Sequence, residues 1–369
     1  MKTILHVIDT TGPGGAETIF IDLASRLPAD RYRPVVLIRG KGWVYEELQR
    51  RGIEPVMMDA KGSFNWRFLK NLVALIRREK IDLVQSHLLG SNVYCSLAGR
   101  ITQTPVVATF HGAVDFSGKE RLKAIKYGAI NAGANSIIAV SKSLRDEIIA
   151  STTLKPEKVQ LIYNGINTED YQRPRSRALR QKYGWSDDEL VIGSLGNIRP
   201  AKGYDILLQA AALLGQHDRK FRFVIAGQCN TSLYDEMLVL RRELGLEDTV
   251  QFLGYLEDAA DFLSNIDIFL SSSISEGLPL SAIQAMVAKL PVVATRCGGY
   301  EELVTHRENG WLVEIGNPQA IAEALEMLAD KHELRDALAE KAKIHAIETF
   351  DLEVMLAAYK ETYDRLMAV

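Results

Sequence analysis

Short apolar runs, each closed by a polar or glycine-containing cluster, recur along the chain, and stretches with apolar residues at helical spacing lie between them. The first run, 3–8, ends at Asp9 and a Thr/Gly/Pro cluster. In 16–27, Ile19, Phe20, Leu23 and Leu27 then fall on one helical face. Further runs follow at 35–38, 55–58, 81–84, 106–110, 136–140 and 159–162, with helical patterns such as 68–78 between them. Uninterrupted apolar strands alternating with helices predict a mainly parallel sheet covered on both faces. The segment 171–188, with Arg173-Pro174-Arg175 and Gly184-Trp185-Ser186, breaks the alternation, and a linker is expected near its start. A second series then runs through 191–195, 221–225, 250–253, 266–270, 291–294 and 311–313. The pattern therefore predicts an α/β chain of two Rossmann-like domains, 1–170 and 171–350. After Pro318 it turns helical over 320–329, 332–347 and 352–367, and the last segment, 351–369, is expected to return to the first domain.

Composition agrees and narrows the possibilities. A chain of 369 residues and 41.1 kDa suits two cores, and 47% hydrophobic with 25% charged residues is ordinary for a globular protein, which excludes whole-chain disorder. A net charge of -3 offers no reason to expect a nucleic-acid partner. The charge is split unevenly: residues 1–170 hold 23 Lys and Arg against 17 Asp and Glu, and residues 171–369 hold 21 against 30. A basic first half either meets something anionic, such as a phospholipid surface or a pyrophosphate-bearing acceptor, or is simply solvated. Cys95, Cys229 and Cys297 are odd in number and far apart, fitting free thiols in a reducing cytosol. No apolar run approaches 18 residues and Met1-Lys2 leads straight into a strand, so a cytoplasmic protein without a membrane span is expected.

The loops after the strands hold the candidate chemistry. Residues 275–286, SEGLPLSAIQAM, join a strand to a helix, where unpaired first-turn N–H groups and the helix dipole suit a phosphate. Glu276 lies in that loop and Gln284 about one turn into the helix, and Pro279 suits the helix opening. Gly12-Pro13-Gly14-Gly15-Ala16-Glu17 follows the first strand, but its order is not the dinucleotide fingerprint, which disfavours a nicotinamide or flavin. Those glycines either let a ligand approach the backbone or make a turn needing positive φ. His111, and with less weight His87, close strands at the carboxyl edge, where open α/β sheets bind ligands. In the loop from Gly196 to Gly203, Arg199 and Lys202 could grip a diphosphate, Arg as a fork and Lys as a point charge. Gly298-Gly299 permits another close approach, and Glu302 is a ligand contact or a favourable first-turn acid.

Taken in order, GGAE (14–17), FHG (110–112), AVS (139–141), YNGIN (163–167), RPAKG (199–203), SEGLPL (275–280) and GGYEELV (298–304) resemble the retaining, nucleotide-sugar-dependent glycosyltransferases of the GT-B fold, family 4. The resemblance covers nearly the whole chain. It implies two Rossmann-like domains facing across a cleft, with the donor held by the second domain and the acceptor mainly by the first. Arg199 and Lys202 would hold the donor diphosphate and stabilise the leaving group, which would make a metal unnecessary. Glu276 would contact sugar hydroxyls, and Gly277 and Leu278 would present backbone groups. His111 would touch the sugar or its reacting edge. Gly14, Gly15, Asn164, Gly196 and Leu280 are further implied donor contacts. The family pattern has a second glutamate on the nucleotide ribose, and here that position is Gln284, which keeps one acceptor oxygen and loses the charge.

The expectation is thus a hexosyltransferase without a cofactor, using a UDP- or GDP-linked sugar and a hydroxyl acceptor, which could be lipid-linked, in bacterial surface polysaccharide or glycolipid assembly. A stretch at 118–130, with Lys119, Arg121, Lys123 and Lys126 around Leu122 and Ile125, suggests peripheral contact with an anionic inner membrane face, or merely a solvated cover for the sheet. The alternatives are a nucleotide-sugar 2-epimerase on the same plan and a nucleotide-sugar-binding protein with little activity.

Overall fold

A computed structural model describes residues 1–60, 64–112, 122–215, 220–229 and 231–368. The chain forms two compact units, one of Met1–Gly165 with Glu353–Val369 and the other of Ile166–Leu352.

The first unit holds seven parallel strands: β1 (Lys2–Ile8), β2 (Tyr32–Ile38), β3 (Val56–Met57), β4 (Leu83–His87), β5 (Val106–Phe110), β6 (Ser136–Ala139) and β7 (Val159–Leu161). Their order is β3-β2-β1-β4-β5-β6-β7. β4 and β5 are buried at every residue, the condition that makes central parallel strands read as continuous apolar runs. On one face Leu5, Val7, Val84 and Val106 pack with Leu69, Leu72 and Ile76 of the helix Trp66–Arg78, which Asn65 caps by accepting from the Phe68 N–H at 3.0 Å. On another, Ile8, Val36 and Ile38 meet Phe20, Ile21 and Ala24 of the helix Gly15–Arg26. Burying each such side chain contributes about 1.5–3 kcal/mol.

The terminal helix, Leu352–Met367, returns to this unit as expected. Its Tyr359 and Tyr363 are fully buried, and Tyr32 Oη donates to Asp364 Oδ1 at 2.8 Å.

The second unit holds six parallel strands: β8 (Leu190–Leu195), β9 (Phe221–Ala226), β10 (Val250–Gly254), β11 (Ile268–Ser271), β12 (Val292–Thr295) and β13 (Trp311–Val313), in the order β10-β9-β8-β11-β12-β13. Ile192, Phe223, Ile225 and Leu270 pack with Leu207, Leu208 and Ala211 of the helix Tyr204–Leu214 and with Leu325 and Leu328 of the helix Pro318–Asp330. β11 starts two residues later than its apolar run, and Ile266, just ahead of it, packs over Gly193 of β8. A Cβ on Gly193 would lie 2.4 Å from Ile266 Cδ1.

In each unit the strand order reverses beside the first strand, between β1 and β4 and between β8 and β11. Loops leaving the carboxyl ends of two such strands diverge to opposite sides of the sheet, and the crevice they leave is where open α/β sheets take ligands. The start of the basic stretch, with Lys119 and Arg121, lies outside the described residues.

Candidate functional site

At the β8/β11 reversal the loop that leaves β8 is clamped to the segment that leaves β11. Ser272 Oγ donates to the Lys202 carbonyl at 3.0 Å and the Ile274 N–H to the Ala201 carbonyl at 2.8 Å. Gly203 has φ +58, and a Cβ there would lie 2.3 Å from the Ser272 carbonyl oxygen, so both conformation and space require glycine. Gly196 makes room for the lysine itself, because a Cβ on it would lie 2.8 Å from Lys202 Cε. The fully buried Tyr204 donates to the Gly196 carbonyl at 2.8 Å. Burial pushes its phenol well above the usual range, so that donor keeps its proton.

The clamp brings Lys202 and Glu276 together. Lys202 Nζ lies 2.6 Å from Glu276 Oε1, and Ser273 Oγ donates to the same oxygen at 2.7 Å. Both bonds fall on Oε1, so among the described residues Glu276 Oε2 has no hydrogen-bond donor and keeps its acceptor capacity, while Lys202 keeps two further N–H donors. Arg199 is exposed at the start of the Pro200–Lys202 turn.

Gly277 and Leu278 lead into the helix Leu280–Val287. Pro279 is its N-cap, one position before the opening turn expected for it. Ala282 and Ile283 donate to the Pro279 carbonyl, so the N–H groups of Leu280 and Ser281 are the ones a helix start leaves without an internal acceptor. The backbone of 276–278 is backed by Gly298 and Gly299. A Cβ on Gly298, at φ +47, would lie 2.1 Å from the Glu276 carbonyl oxygen, and one on Gly299 would lie 2.2 Å from that of Gly277. The glycine pair therefore packs against this loop from behind. Glu302 is in the first turn of the helix Tyr300–Leu303.

Gln284, half-buried, donates from Nε2 to Tyr171 Oη at 2.9 Å, leaving its Oε1 as the acceptor. Tyr171, Ser273 and Tyr204 escape a reading of the sequence, since no local spacing ties them to their partners. The one available signal was the run Ser271-Ser272-Ser273, polar yet following an apolar strand, and all three are buried.

The first unit carries its own cluster at the β1/β4 reversal. Gly14 is extended, with φ -176, and a Cβ there would meet only the flexible Glu17 carboxylate, while one on Gly12 would meet nothing within 4 Å. Neither glycine serves a positive-φ turn. Gly15 opens the helix Gly15–Arg26. His87 closes β4 and His111 follows β5, with His87 Nδ1 2.8 Å from His111 Nε2 and the rings stacked at 5.1 Å. Burial pushes His111 down to about 3 and His87 well below its ordinary value, so both are neutral at physiological pH. Asn164 lies beyond β7 in this unit, buried, its Oδ1 without a partner.

The described residues contain no cluster of three or more His, Cys, Asp or Glu side chains able to hold a metal ion.

Two family models match the chain: Glycosyltransferase Family 4 over residues 13–170 and Glycosyl transferases group 1 over residues 175–345. The chain is 29% identical over 301 residues to the N-acetyl-alpha-D-glucosaminyl L-malate synthase of Bacillus anthracis, covering 79% of this chain and 77% of that protein. It is 25% identical over 326 residues to the capsular polysaccharide biosynthesis glycosyltransferase CapM of Staphylococcus aureus, covering 85% and 84%. A crystal structure of Anabaena Alr3699/HepE in complex with UDP and glucose matches it with a TM-score of 0.88 at 25% identity, over 99% of this chain and 100% of that one.

Proposed function

The chain belongs to the family 4, group 1 glycosyltransferases, and on that premise we propose that it moves a sugar from a nucleoside diphosphate donor to a hydroxyl with retention of the anomeric configuration. The observation that carries this reading is the Lys202–Glu276 pair at the sheet's reversal point, fixed through one carboxylate oxygen so that the other can accept from a sugar hydroxyl. Lys202 and Arg199 neutralise the diphosphate as the glycosidic bond breaks, and the helix start at Leu280 and Ser281 adds N–H donors beside them. With two cations serving the leaving group, no metal is required. The departing phosphate oxygen takes the acceptor proton on the face it leaves. Gln284 Oε1 accepts from a ribose hydroxyl while its Nε2 stays on Tyr171. His111 is the sugar contact of the first unit, and Gly14 and Gly15 give the phosphates and the acceptor close approach.

The match to a protein crystallised with UDP supports a uridine donor before a guanosine one. The likeness to CapM supports an acceptor in surface polysaccharide or glycolipid assembly. No helix of the described residues is long and apolar enough to cross a membrane. Leu122 and Ile125 are each 67% exposed beside Lys123 and Lys126, which supports contact with an anionic inner-face membrane. Co-sedimentation with anionic liposomes tests that contact, and no binding would count against it.

The deciding experiment is a panel of UDP-, GDP- and ADP-sugars screened by thermal shift and by release of nucleoside diphosphate, with and without EDTA. Stabilisation and EDTA-resistant turnover by a UDP-sugar are expected. No response to any donor would overturn the reading.

A further inference from the structure

Sheet and terminal helix together build a hydrogen-bond chain that ends on His111. Tyr363 Oη donates to Gln85 Oε1 at 3.0 Å. The Gln85 amide nitrogen donates to Thr109 Oγ1 at 2.8 Å, and it also faces His87 Nε2 at 3.3 Å and the Ser86 carbonyl at 3.4 Å. His87 Nδ1 then meets His111 Nε2 at 2.8 Å. Gln85, His87, Thr109 and Tyr363 have no solvent exposure.

A neutral imidazole carries one N–H and one lone pair, so each ring passes the direction of the chain on to the next. With the Gln85 NH₂ facing it, His87 Nε2 must be the acceptor, because an N–H there would set donor against donor. His87 Nδ1 then holds the proton and donates to His111 Nε2. That makes Nδ1 the protonated nitrogen of His111.

Tyr363 decides the direction. Among the described residues its one hydrogen bond is the one it donates to Gln85, and turning the amide over would leave its buried O–H without an acceptor there. The Ser86 carbonyl, an acceptor only, favours the same orientation, whereas the Thr109 hydroxyl can bond either end of the amide. Burial keeps the Tyr363 hydroxyl protonated and both histidines neutral, so the chain keeps one proton order across the working pH range.

We propose that Tyr363, Gln85 and His87 are positioning residues that set His111 in its Nδ1–H tautomer. The effect of that tautomer on sugar transfer rests on the transferase reading, and the relay itself does not. A helix from the far end of the chain thereby fixes the chemical identity of a group on β5's loop.

The test is ¹⁵N NMR of the full-length protein labelled at histidine, with signals assigned through His87→Asn and His111→Asn. The native protein should show His111 Nδ1 protonated and Nε2 unprotonated. Gln85→Glu presents acceptors to both Tyr363 and His87 and should reverse the order, protonating His111 Nε2. In that variant kcat should fall roughly tenfold with the donor KM changed less than about twofold, the signature of a contact made in the transition state. Tyr363→Phe, which removes one oxygen, should give a mixture of the two tautomers, and it carries the test should Gln85→Glu not fold. An Nε2–H tautomer in the native protein, or native shifts in a folded Gln85→Glu or Tyr363→Phe, overturns the relay. Native protein with the expected shifts and no turnover of any nucleotide sugar would instead overturn the transferase reading and leave the relay standing.

Discussion

His6 gives the sharpest test of the energetics of the first unit. It sits on β1 with no solvent exposure, neither ring nitrogen has a hydrogen-bond partner, and burial pushes its pKa from 6.5 down to about 3. Below pH 6.5 the unfolded chain binds a proton that the folded chain refuses, so stability is fully present above 6.5 and is lost as pH falls toward 3. One such group changes stability by at most about 1.4 kcal/mol per pH unit, or about 2 kcal/mol between pH 7 and pH 5. His111, also pushed down to about 3, and His87 act with the same sign, so the native protein should lose up to roughly 4 kcal/mol per pH unit below pH 6. His6→Leu removes one of these groups together with its unsatisfied ring nitrogens. Its stability at neutral pH should be equal or higher, and its loss of stability on acidification shallower by about 1.4 kcal/mol per unit. Urea unfolding at half-unit steps from pH 7.5 to pH 5, followed by tryptophan fluorescence, measures both slopes. Parallel slopes for the two proteins would mean that folded His6 takes up its proton without penalty, and the burial argument would fail.

Gly299→Ala forces a Cβ against backbone on three atoms of 277 and 278, with no flexible side chain to yield, and should cost about 1–3 kcal/mol and lower donor turnover. Gly215→Ala, whose nearest neighbour would be 3.4 Å away, is the matched control, and thermal scans of the two compare them. Lys202→Gln removes the charge and shortens the side chain by one atom, so kcat should drop about a hundredfold with fold and melting temperature largely kept, checked by steady-state kinetics. Gln284→Glu replaces a neutral ribose acceptor by a charged one, still bonded through Tyr171 Oη, and should tighten nucleotide binding roughly three- to tenfold by calorimetry. Unchanged affinity would refute the ribose assignment.

How much of this was legible in the chain follows from how local each signal is. Central parallel strands are covered on both faces, so β5, β8 and β11 announce themselves as apolar runs, and the glycine and proline punctuation around RPAKG and SEGLPL marks the loops between them. Two-residue β3 is legible only as part of a longer run, because an edge strand pairs on one side. Partner identity is another matter. Ser273 is three residues from Glu276, yet a serine there has no periodic reason to be a ligand of it, and Tyr171 lies 113 residues from Gln284. Gln85 and Tyr363, 278 residues apart, read as an ordinary polar residue on a strand and an apolar one on a helix.

What ties the hidden partners to the visible motifs is strand order. Placing the fourth strand beside the first, in either unit, puts the carboxyl ends of the two strands, and the loops that start there, on either side of one crevice. A chain that begins a unit with a glycine-rich loop therefore builds half of a site whose second half waits for the return across the sheet. In the second unit both halves carry readable motifs, and Lys202 finds Glu276. In the first unit the returning half is β4 and β5, whose polar residues Gln85, His87 and Thr109 interrupt otherwise apolar strands. Such residues are costly in a core unless every donor meets an acceptor. Two tyrosines of the last helix meet that requirement, Tyr363 at Gln85 and Tyr359 at 3.4 Å from Thr109 Oγ1. The helix that completes the first unit's core is therefore the one that completes its polar network, and truncating it before Tyr359 would expose both deficits together.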